Sequence, residues 1–517
     1  MLKLSNTKIW LKPLLILVAV SIGIFGILRG IDFLLIREGV HPFAVLYSTD
    51  IGNLTNTLSG LGEVIVAILG IEITVIAIIV QLAANKYSSK IMDLFVGDKF
   101  NVAVISLYVI TSINTVLVVN TINERSLNYF SITFTLVLII LSLLFVIPHF
   151  NYIFNFLRPE NFLAYVSRRA AEKLENIPSD VKGILKAKRK TREDIDFIGD
   201  IALNSVFQGD RSVTLLSLTS LREILTEYFT LKSDLPKEWF RITDEEKFDP
   251  DFSSYSEFVL KSIEENKVYL ERKIFSLYDV IFNNSKTKLR DVASGVLLNT
   301  QLITIEAVRW GDQGAIDNCL KYFNSYLRAS IRDKDPRSAF NTLEHYRIVA
   351  EEVLTKFPEI VEKISVYFRY YGQEANKNQV LFILETAAFD LCRINELAYE
   401  KKVKNMNELL DLFLTVDEPA EGAEKEVSLI GVRIAQVKLA GYYLLHKEEE
   451  LARQIFRDMQ VEPFARIKKI EGIIFGTAQE EFWEITPRGV NFYYIEPEAR
   501  AALKQFFGWF EEKQVCS

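Results

Sequence analysis

Four long apolar segments fill the first 157 residues of the chain, and no segment of comparable length occurs in the 360 residues that follow. Each segment approaches the roughly 20 residues that a helix needs to cross a hydrocarbon core of about 30 Å. The sequence therefore predicts four transmembrane helices, at about residues 10–36, 61–82, 101–119 and 130–156.

The rest of the chain predicts helical structure outside the membrane. From residue 158 onward, apolar residues recur at the i, i+3, i+4 and i+7 spacing of amphipathic helices. We expect a mainly α fold with three parts: a transmembrane domain over residues 1–157, a basic juxtamembrane linker helix over 158–195, and a large cytoplasmic domain of solenoid-like helical hairpins over 196–517. Two β-rich runs between Phe482 and Ile495 surround a Pro-Arg-Gly turn and predict a small C-terminal β-hairpin.

Basic residues flank the apolar segments mainly on one side. They precede the first segment, separate the second from the third and follow the fourth: Lys3, Lys8 and Lys12, then Lys86, Lys90 and Lys99, then Arg158, Arg168, Arg169 and Lys173. The two opposite loops carry only Arg37 and Arg125. Because cytoplasmic loops carry the excess of Lys and Arg, we expect a multi-pass protein of the inner (plasma) membrane with both termini in the cytoplasm.

The second segment carries small and polar residues along one helix face. They recur at steps of three and four residues: Glu63, Ala67, Gly70, Thr74, Ala77 and Gln81. Two interpretations remain open for this stripe. Small residues favour tight packing of helices in lipid, whereas a polar face also suits the lining of a water-filled pathway.

Glu72 lies on the opposite face of the same segment, among Ile, Val and Leu. A carboxylate at this depth costs a few kcal/mol unless it is paired, protonated or hydrated. We therefore expect Glu72 in the bundle interior, at a subunit interface or in a pore, with Asn114 and Thr115 of the third segment as candidate partners. A protonated Glu72 that bonds to a neighbouring helix and a functional Glu72 both remain open.

The fourth segment repeats a polar stripe that we expect to face inward: Ser131, Thr135, Ser142 and His149. His149 alone is more typical of a packing or interface residue than of a ligand. Near the outer end of the bundle, Arg29, Asp32 and Glu63 are candidates for an ion pair. The intramembrane candidates are thus Glu63, Gly70, Glu72, Thr74, Gln81, Asn114, Thr115, Ser131, Thr135 and Ser142.

The stretch from Val80 to Asp98 reads VQLAANKYSSKIMDLFVGD. Its run of small residues, its Gln, its aromatic residue and its basic amphipathic helix ending in Asp resemble a bacterial family of predicted membrane proteins, domain of unknown function 2254. Ser89 stands where that family has a proline. The resemblance covers roughly the first 170 residues. It implies an integral membrane protein with this four-helix layout and supplies no catalytic residues.

A basic run from Arg168 to Arg192 follows the last apolar segment and holds nine Lys/Arg against three acidic residues. Such a run binds anionic lipid head groups in other membrane proteins. The candidates are Lys182, Lys186, Lys188, Arg189, Lys190 and Arg192. The alternative is a solvated helix face that follows the positive-inside rule and binds nothing.

Composition and motifs argue against several classes of function. From residue 158 onward the chain holds 51 basic and 59 acidic residues, which argues against a nucleic-acid partner. It has no P-loop, no dinucleotide-binding glycine motif, no HExxH and no nucleophile elbow. Its four His and three Cys residues lack metal-ligand spacing. We therefore expect neither an enzyme nor a metal or other cofactor.

The polar stripes favour a homo-oligomeric ion channel, because four helices per subunit are too few to enclose a pathway alone. The helical cytoplasmic domain would then regulate the pore. The alternative is a membrane-anchored scaffold or signalling protein whose helical domain binds a protein partner. A membrane enzyme acting on lipid has the least support. The expected partners are membrane lipid, further copies of this chain and a cytoplasmic protein, with no nucleic acid.

Overall fold

The computed structural model describes residues 7–47, 50–122, 127–416, 423–486 and 488–516. Within these residues every regular element is a helix, in agreement with the predicted mainly α fold. The chain forms two compact units, Met1–Tyr165 and Val166–Ser517, which we call the N-terminal and the C-terminal unit. Lys3 and Arg125, which entered the orientation prediction, lie outside the described residues.

The N-terminal unit contains four long apolar helices, one short helix and a 3-10 turn at Ala44–Leu46. The helices are α1 (Thr7–Arg37), α2 (Ile51–Lys86), α3 (Lys90–Val96), α4 (Lys99–Val119) and α5 (Tyr129–Phe156). By length and composition, α1, α2, α4 and α5 are each able to cross a membrane. The prediction of four apolar membrane-length helices is therefore confirmed.

Aspartates begin two of these helices. The Asp50 carboxylate accepts a hydrogen bond of 3.1 Å from the Asn53 amide at the start of α2. The Asp98 carboxylate accepts one of 3.0 Å from the Asn101 amide at the start of α4. Both side chains occupy an N-cap, where an acceptor satisfies an amide that the helix leaves unpaired.

The interior of the N-terminal unit is built from apolar residues on all the long helices. Ile65, Val104, Tyr108 and Ile139 form one buried cluster that joins α2, α4 and α5. Helices α2 and α4 also approach closely at Gly62, where an added Cβ would lie 2.9 Å from the Thr115 Cγ2 atom. The absence of a side chain at this glycine therefore sets the separation of the two helices.

The C-terminal unit continues as a succession of helices, and the boundary between the units falls within the first of them. They are α6 (Pro159–Glu175), α7 (Val181–Gln208), α8 (Arg211–Leu231), α9 (Lys237–Phe240), α10 (Asp244–Lys247), α11 (Glu257–Glu265), α12 (Tyr269–Ser285), α13 (Arg290–Trp310), α14 (Gln313–Arg332), α15 (Pro336–Val353), α16 (Pro358–Lys377), α17 (Leu381–Glu400), α18 (Met406–Leu414), α19 (Ala423–Leu445), α20 (Glu449–Met459), α21 (Phe464–Gly476) and α22 (Pro497–Cys516). Successive helices pack on one another, for example α7 on α8, α13 on α14, and α16 on α17.

Two of the helix pairs share the same Gly-Asp turn. Gly209 ends α7 at a φ of 74°, and Gly311 ends α13 at a φ of 70°, a conformation that a residue with a side chain adopts at a cost. The next residue caps the following helix: Asp210 accepts from the Val213 amide at 3.3 Å, and Asp312 accepts from the Ala315 amide at 3.0 Å. Two residues thus end one helix and begin the next.

The predicted C-terminal β-hairpin is wrong. Among the described residues of this segment, only an isolated antiparallel bridge joins Glu481 to Val490, and no strand forms. Pro487, at the predicted turn, lies outside the described residues. The aromatic residues that suggested strands pack against helices instead: the Phe492 ring stacks on Phe389 of α17 at 4.6 Å. The segment is a loop held by a few side-chain contacts: Ile495 is buried and Phe492 packs on α17, whereas Trp483 and Ile485 are exposed.

Candidate functional site

The polar stripe of α2 faces outward from the N-terminal unit. Its members are all exposed: Glu63, Ala67, Gly70, Thr74, Ala77 and Gln81. On the opposite side of α2, Ile65, Glu72 and Ile76 are buried in the bundle. Within the described subunit, the stripe therefore takes no part in packing the four helices together.

The stripe extends along most of the membrane-length part of α2. Glu63 and Gln81 are 18 residues apart, which corresponds to about 27 Å of helix and approaches the thickness of a hydrocarbon core. Exposed Val66, Ile71 and Ile78 border the stripe on its two sides. A line of small and polar residues thus interrupts a surface that is otherwise suited to lipid.

Glu63 also lies in a groove of about 520 Å³ between α2 and α4. Ser59, Thr115 and Asn120 contribute further polar atoms to its walls. Within the stripe, the Thr74 hydroxyl donates to the Gly70 carbonyl at 2.8 Å, which satisfies that hydroxyl inside its own helix. Glu63 and Gln81 are the other two stripe residues with polar side chains, and both are exposed.

Glu72 points into the bundle and pairs with His149 of α5. The Glu72 Oε1 and His149 Nδ1 atoms are 2.6 Å apart, and the exposed fractions of the two residues are 2% and 0%. On the other side of the ring, His149 Nε2 lies 3.1 Å from the Asn101 Oδ1 atom. The prediction that Asn114 and Thr115 are partners of Glu72 is wrong. The Asn114 side chain donates to the Thr135 hydroxyl, and the Thr115 hydroxyl donates to the Thr111 carbonyl.

The hydrogen bonds of Asn101 restrict the proton positions in this cluster. The side-chain Nδ2 atom of Asn101 donates to the Phe95 carbonyl at 3.2 Å, which leaves its Oδ1 atom facing His149. The His149 Nε2 atom must therefore carry a hydrogen in order to donate to that oxygen. Either an imidazolium pairs with a Glu72 carboxylate, or a neutral His149 accepts from a protonated Glu72. The pair is electrically neutral in both arrangements, as a site in hydrocarbon requires.

Other polar side chains of α4 and α5 also bond to each other inside the bundle. The Asn114 side-chain amide donates to the Thr135 hydroxyl at 2.9 Å, and the Thr111 and Ser142 hydroxyls are 3.0 Å apart. All four side chains are fully buried. Thr135 and Ser142 of the α5 stripe therefore face α4, and their hydroxyl groups join the two helices.

Three buried polar atoms in this interior make no hydrogen bond of good geometry with the described residues: Glu72 Oε2, the Tyr108 hydroxyl and Asn114 Oδ1. Tyr108 interacts electrostatically with Glu72, so the first two atoms belong to one region of the bundle. Buried polar atoms of this kind usually find a partner or an ordered water. The Glu72 region is therefore the polar centre of the N-terminal unit.

Asp32 of α1 caps a helix that is distant in sequence. Its carboxylate accepts hydrogen bonds of 3.1 Å from the backbone amides of Phe130 and Ser131, and the Ser131 hydroxyl also donates to it. These amides begin α5, where the helix dipole favours a negative charge. The suggested ion pair of Asp32 with Arg29 does not form in the described part of the chain, because the carboxylate binds this helix start instead.

Sequence reasoning did not identify Asn101, Tyr108 and Thr111 as members of the interior. They are spaced by seven and three residues on α4, which places them on one helix face. The same periodicity that singled out the α5 stripe would have found them. The pairing of Asp32 with the start of α5 left no comparable signal, because it depends on how two distant segments meet.

The basic run after the last apolar helix does not act as one surface. Lys188 is buried, and its ammonium group donates to Glu246 at 2.9 Å and to the Arg241 carbonyl at 2.7 Å. Arg189 and Lys190 are exposed. Lys182, Lys186, Arg189 and Arg192 line one groove of the C-terminal unit. Of the six candidate lipid ligands, the structure therefore brings four together.

Comparison with known protein families finds a match at the N-terminal end of the chain. Residues 6–200 match the model of a family described as Predicted membrane protein (DUF2254), which confirms the resemblance inferred from the stretch after the second apolar segment. The function of that family is unknown. No curated protein and no solved structure matches the chain.

Proposed function

We propose that the protein is a homo-oligomeric ion channel whose pore is lined by the outward stripe of α2 from several copies of the chain. The single observation that carries this proposal is the exposure of Glu63, Thr74 and Gln81 along one line of a membrane-length helix. Polar side chains of the interior such as Asn114, Thr135 and Ser142 are buried, whereas the stripe is exposed along the membrane-length part of α2.

The cost of exposing a carboxylate to lipid supports an oligomer. A charged side chain costs roughly 3 kcal/mol at the centre of a membrane helix and less toward the interface. Copies arranged around an axis would remove the Glu63 and Gln81 side chains from lipid and direct them to water. Most oligomers of one chain have closed symmetry of this kind.

The chemistry of the stripe supports preference for cations. One Glu63 from each copy would form a ring of carboxylates near one end of the pore, and such rings select cations in other channels. The stripe itself contains no basic residue. Ala67, Gly70 and Ala77 would leave width for hydrated ions, since their side chains are small or absent.

In this proposal Glu72 stabilises the interior of the subunit and does not line the pore. It is buried and paired with His149, so it lies away from the outward stripe. The sequence alone left Glu72 as a pore candidate, and the proposal now assigns selectivity to Glu63 instead. A pore on the outward face of α2 should be sensitive to substitution of Glu63 and insensitive to substitution of Glu72. A pathway inside the subunit should show the opposite sensitivity.

The proposal also includes topology and regulation. Both termini would lie on the cytoplasmic side of the inner membrane, because the basic segments that flank the apolar helices share one side. The helical C-terminal unit would then form a cytoplasmic regulatory domain. Reporter fusions after residue 517 and within residues 38–50 would test this arrangement, and a cytoplasmic signal from the fusion within residues 38–50 alone would overturn it.

Cysteine substitution along α2 tests the pore directly. The variants T74C and A67C replace stripe residues, and L144C replaces an exposed apolar residue of α5. The background carries Cys516→Ser, while Cys319 and Cys392 are buried and remain. We expect a water-soluble, charged thiol reagent to reduce the current of T74C and A67C in planar bilayers and to leave L144C unchanged.

The control distinguishes the two interpretations of the stripe. A thiol at position 144 faces lipid and is not ionised there, so reagent should not modify it. If T74C and A67C resist the reagent as L144C does, the stripe packs against protein or lipid and the pore assignment fails. A protein that carries no current and whose C-terminal unit retains a defined protein partner would favour the scaffold alternative.

A further inference from the structure

The basic residues of α7 divide into a buried set and an exposed set. Lys188 is 1% exposed and points into the C-terminal unit, where its ammonium group lies 3.6 Å from the centre of the Tyr269 ring. The exposed set consists of Lys182, Lys186 and Arg189, which follow at steps of four and three residues on one helix face. Arg192 continues this face three residues later, with 12% of its side chain exposed. These four residues, unlike Lys188, line a groove.

The exposed set lines an open groove of about 420 Å³ between α7 and the segment around α10. Thr243, Glu245 and Glu246 form the opposite wall, and Leu185 adds an apolar contact. This volume lies within the range of sites for small ligands. The groove belongs wholly to the C-terminal unit and is independent of the α2 stripe.

The charge of the groove is positive. Its lining contains four basic and two acidic residues. The charge of one acidic residue, Glu246, is compensated by its ion pair with the buried Lys188. The other, Glu245, is 71% exposed and lies 3.9 Å from Arg192. Arg192 is also held by Asp249 at 3.6 Å, so part of its charge is compensated.

Lys182 and Lys186 supply the uncompensated charge. No ion pair joins either side chain to an acidic residue in the described part of the chain, whereas Arg189 has only the exposed Glu193 at 3.7 Å. Unpaired ammonium groups beside a guanidinium are the usual ligands of a phosphate group. Their spacing on α7 would let them contact one phosphate from the same side.

The wall opposite these lysines is held rigidly. Glu246 accepts from Lys188 at 2.9 Å, from the Thr243 amide at 2.8 Å and from the Tyr269 hydroxyl at 2.8 Å. Burial raises the pKa of Glu246, but Lys188 and these hydrogen bonds outweigh burial, and the pKa lies below its ordinary value. Glu246 therefore stays ionised and bonded, and it fixes the shape of the groove rather than repelling an anion.

From this geometry we infer that the groove binds a phosphate-bearing anion through Lys182, Lys186 and Arg189, with Arg192 at its inner end. The ligand chemistry is a phosphate mono- or diester. Its source is either the head group of an anionic membrane lipid or a soluble phosphate compound. This site stands apart from the proposed channel, because none of its residues belongs to the apolar helices.

Binding to the full chain in detergent tests the site and separates the two sources. Isothermal titration would use two probes: sn-glycerol 3-phosphate as a soluble phosphate, and dioctanoyl phosphatidylglycerol as a lipid. The test variant is K182Q/K186Q/R189Q. The control variant, R211Q/K261Q/R457Q, removes the same charge from three exposed residues elsewhere in the unit.

We expect saturable binding to the unaltered chain, a loss of at least tenfold in affinity for the test variant, and less than a twofold change for the control. Tighter binding of the lipid identifies a head-group site, and equal binding of both probes identifies a soluble phosphate. The single variant K186Q, with an expected loss of about threefold, replaces the triple variant if that protein unfolds. Equal affinity of test and control variants, or no saturable binding of either probe, overturns the inference.

Discussion

The Glu72 Oε1 atom lies 2.6 Å from the His149 Nδ1 atom in the interior of the N-terminal unit, and these residues are 77 positions apart in the chain. The contact joins the middle of α2 to the C-terminal third of α5. Because Asn101 orients the far side of the His149 ring, three helices meet at one polar cluster. The cluster is neutral as a whole, so it stabilises the bundle without leaving a net charge in lipid.

Removal of one member of this pair should be costly. In H149A the Glu72 carboxyl group loses its partner in a buried site, and we expect a loss of about 3 kcal/mol, the usual scale for breaking a buried ion pair. In E72Q the amide still bonds to a neutral His149, and the loss should be about 1 kcal/mol. Thermal unfolding of the full chain in detergent would measure both effects.

A histidine outside the bundle provides the control for this comparison. His41 is exposed, so H41A should change stability by less than about 0.5 kcal/mol. In the double variant E72Q/H149A, the losses should not add, because the two residues share one interaction. Additive losses would mean that the contact between Glu72 and His149 contributes little to stability.

Asp32 should stabilise α5 although it belongs to α1. Its carboxylate bonds to two backbone amides and one hydroxyl at the start of α5. We expect D32A to lower stability by about 2 kcal/mol, the upper end for loss of an N-cap, because three donors lose their acceptor at once. The nearby exposed Glu38 gives the control variant E38A. Equal unfolding temperatures for D32A and E38A would contradict the assigned cap.

Arg488 should anchor the loop between α21 and α22. Its guanidinium group bonds to the fully buried Asp390 carboxylate, with Nη2 and Oδ2 3.1 Å apart, and it lies 4.8 Å from the centre of the Phe340 ring. In R488A the Asp390 charge loses this partner, so we expect a loss of about 3 kcal/mol. Hydrogen exchange of residues 481–495 should rise at least tenfold in R488A and stay unchanged in the exposed-residue control R457A. Unchanged exchange in both variants would show that the loop is held by its aromatic contacts alone.

Glu385 should make stability depend on pH. Burial raises the pKa of its carboxyl group to about 7, against a hydrogen bond from Tyr493 that lowers it. The cause is close packing of α19, since a Cβ added at Gly431 would lie 2.6 Å from the Glu385 Cδ atom. The folded state therefore holds the proton more tightly than the unfolded state, whose carboxyl pKa is near 4.5.

Glu385 should make the folded state more stable at low pH than at high pH. The contribution is fully present below about pH 4.5 and is lost as the pH rises to about 7, by an amount on the order of 3 kcal/mol. The variant E385Q keeps the neutral form at every pH. It should match the unaltered chain at pH 4.5 and exceed it in stability at pH 8, whereas the exposed control E408Q should not. A constant difference between E385Q and the unaltered chain from pH 4.5 to 8 would refute the raised pKa.

The sequence predicted the helices better than their contacts. Four apolar segments were visible because membrane thickness imposes a length and a composition on each helix. Periodicity also separated the two faces of α2, but it did not tell which face turns inward, and the pairing of Glu72 with His149 depends on the approach of a distant helix. The prediction of a hairpin over Phe482–Ile495 failed for a related reason, because aromatic residues are typical of strands but here belong to a loop, part of which packs on α17.

Reversal potentials in planar bilayers test the central claim most directly. Full-length protein, E63Q and E72Q would be compared in asymmetric KCl. The account predicts discrete single-channel currents with cation preference for the unaltered chain, a reversal potential shifted toward zero in E63Q, and the unaltered value in E72Q, whose glutamate is buried. An unshifted potential in E63Q together with a shift in E72Q would contradict a pore on the outward face of α2, and the absence of any current would contradict the channel itself.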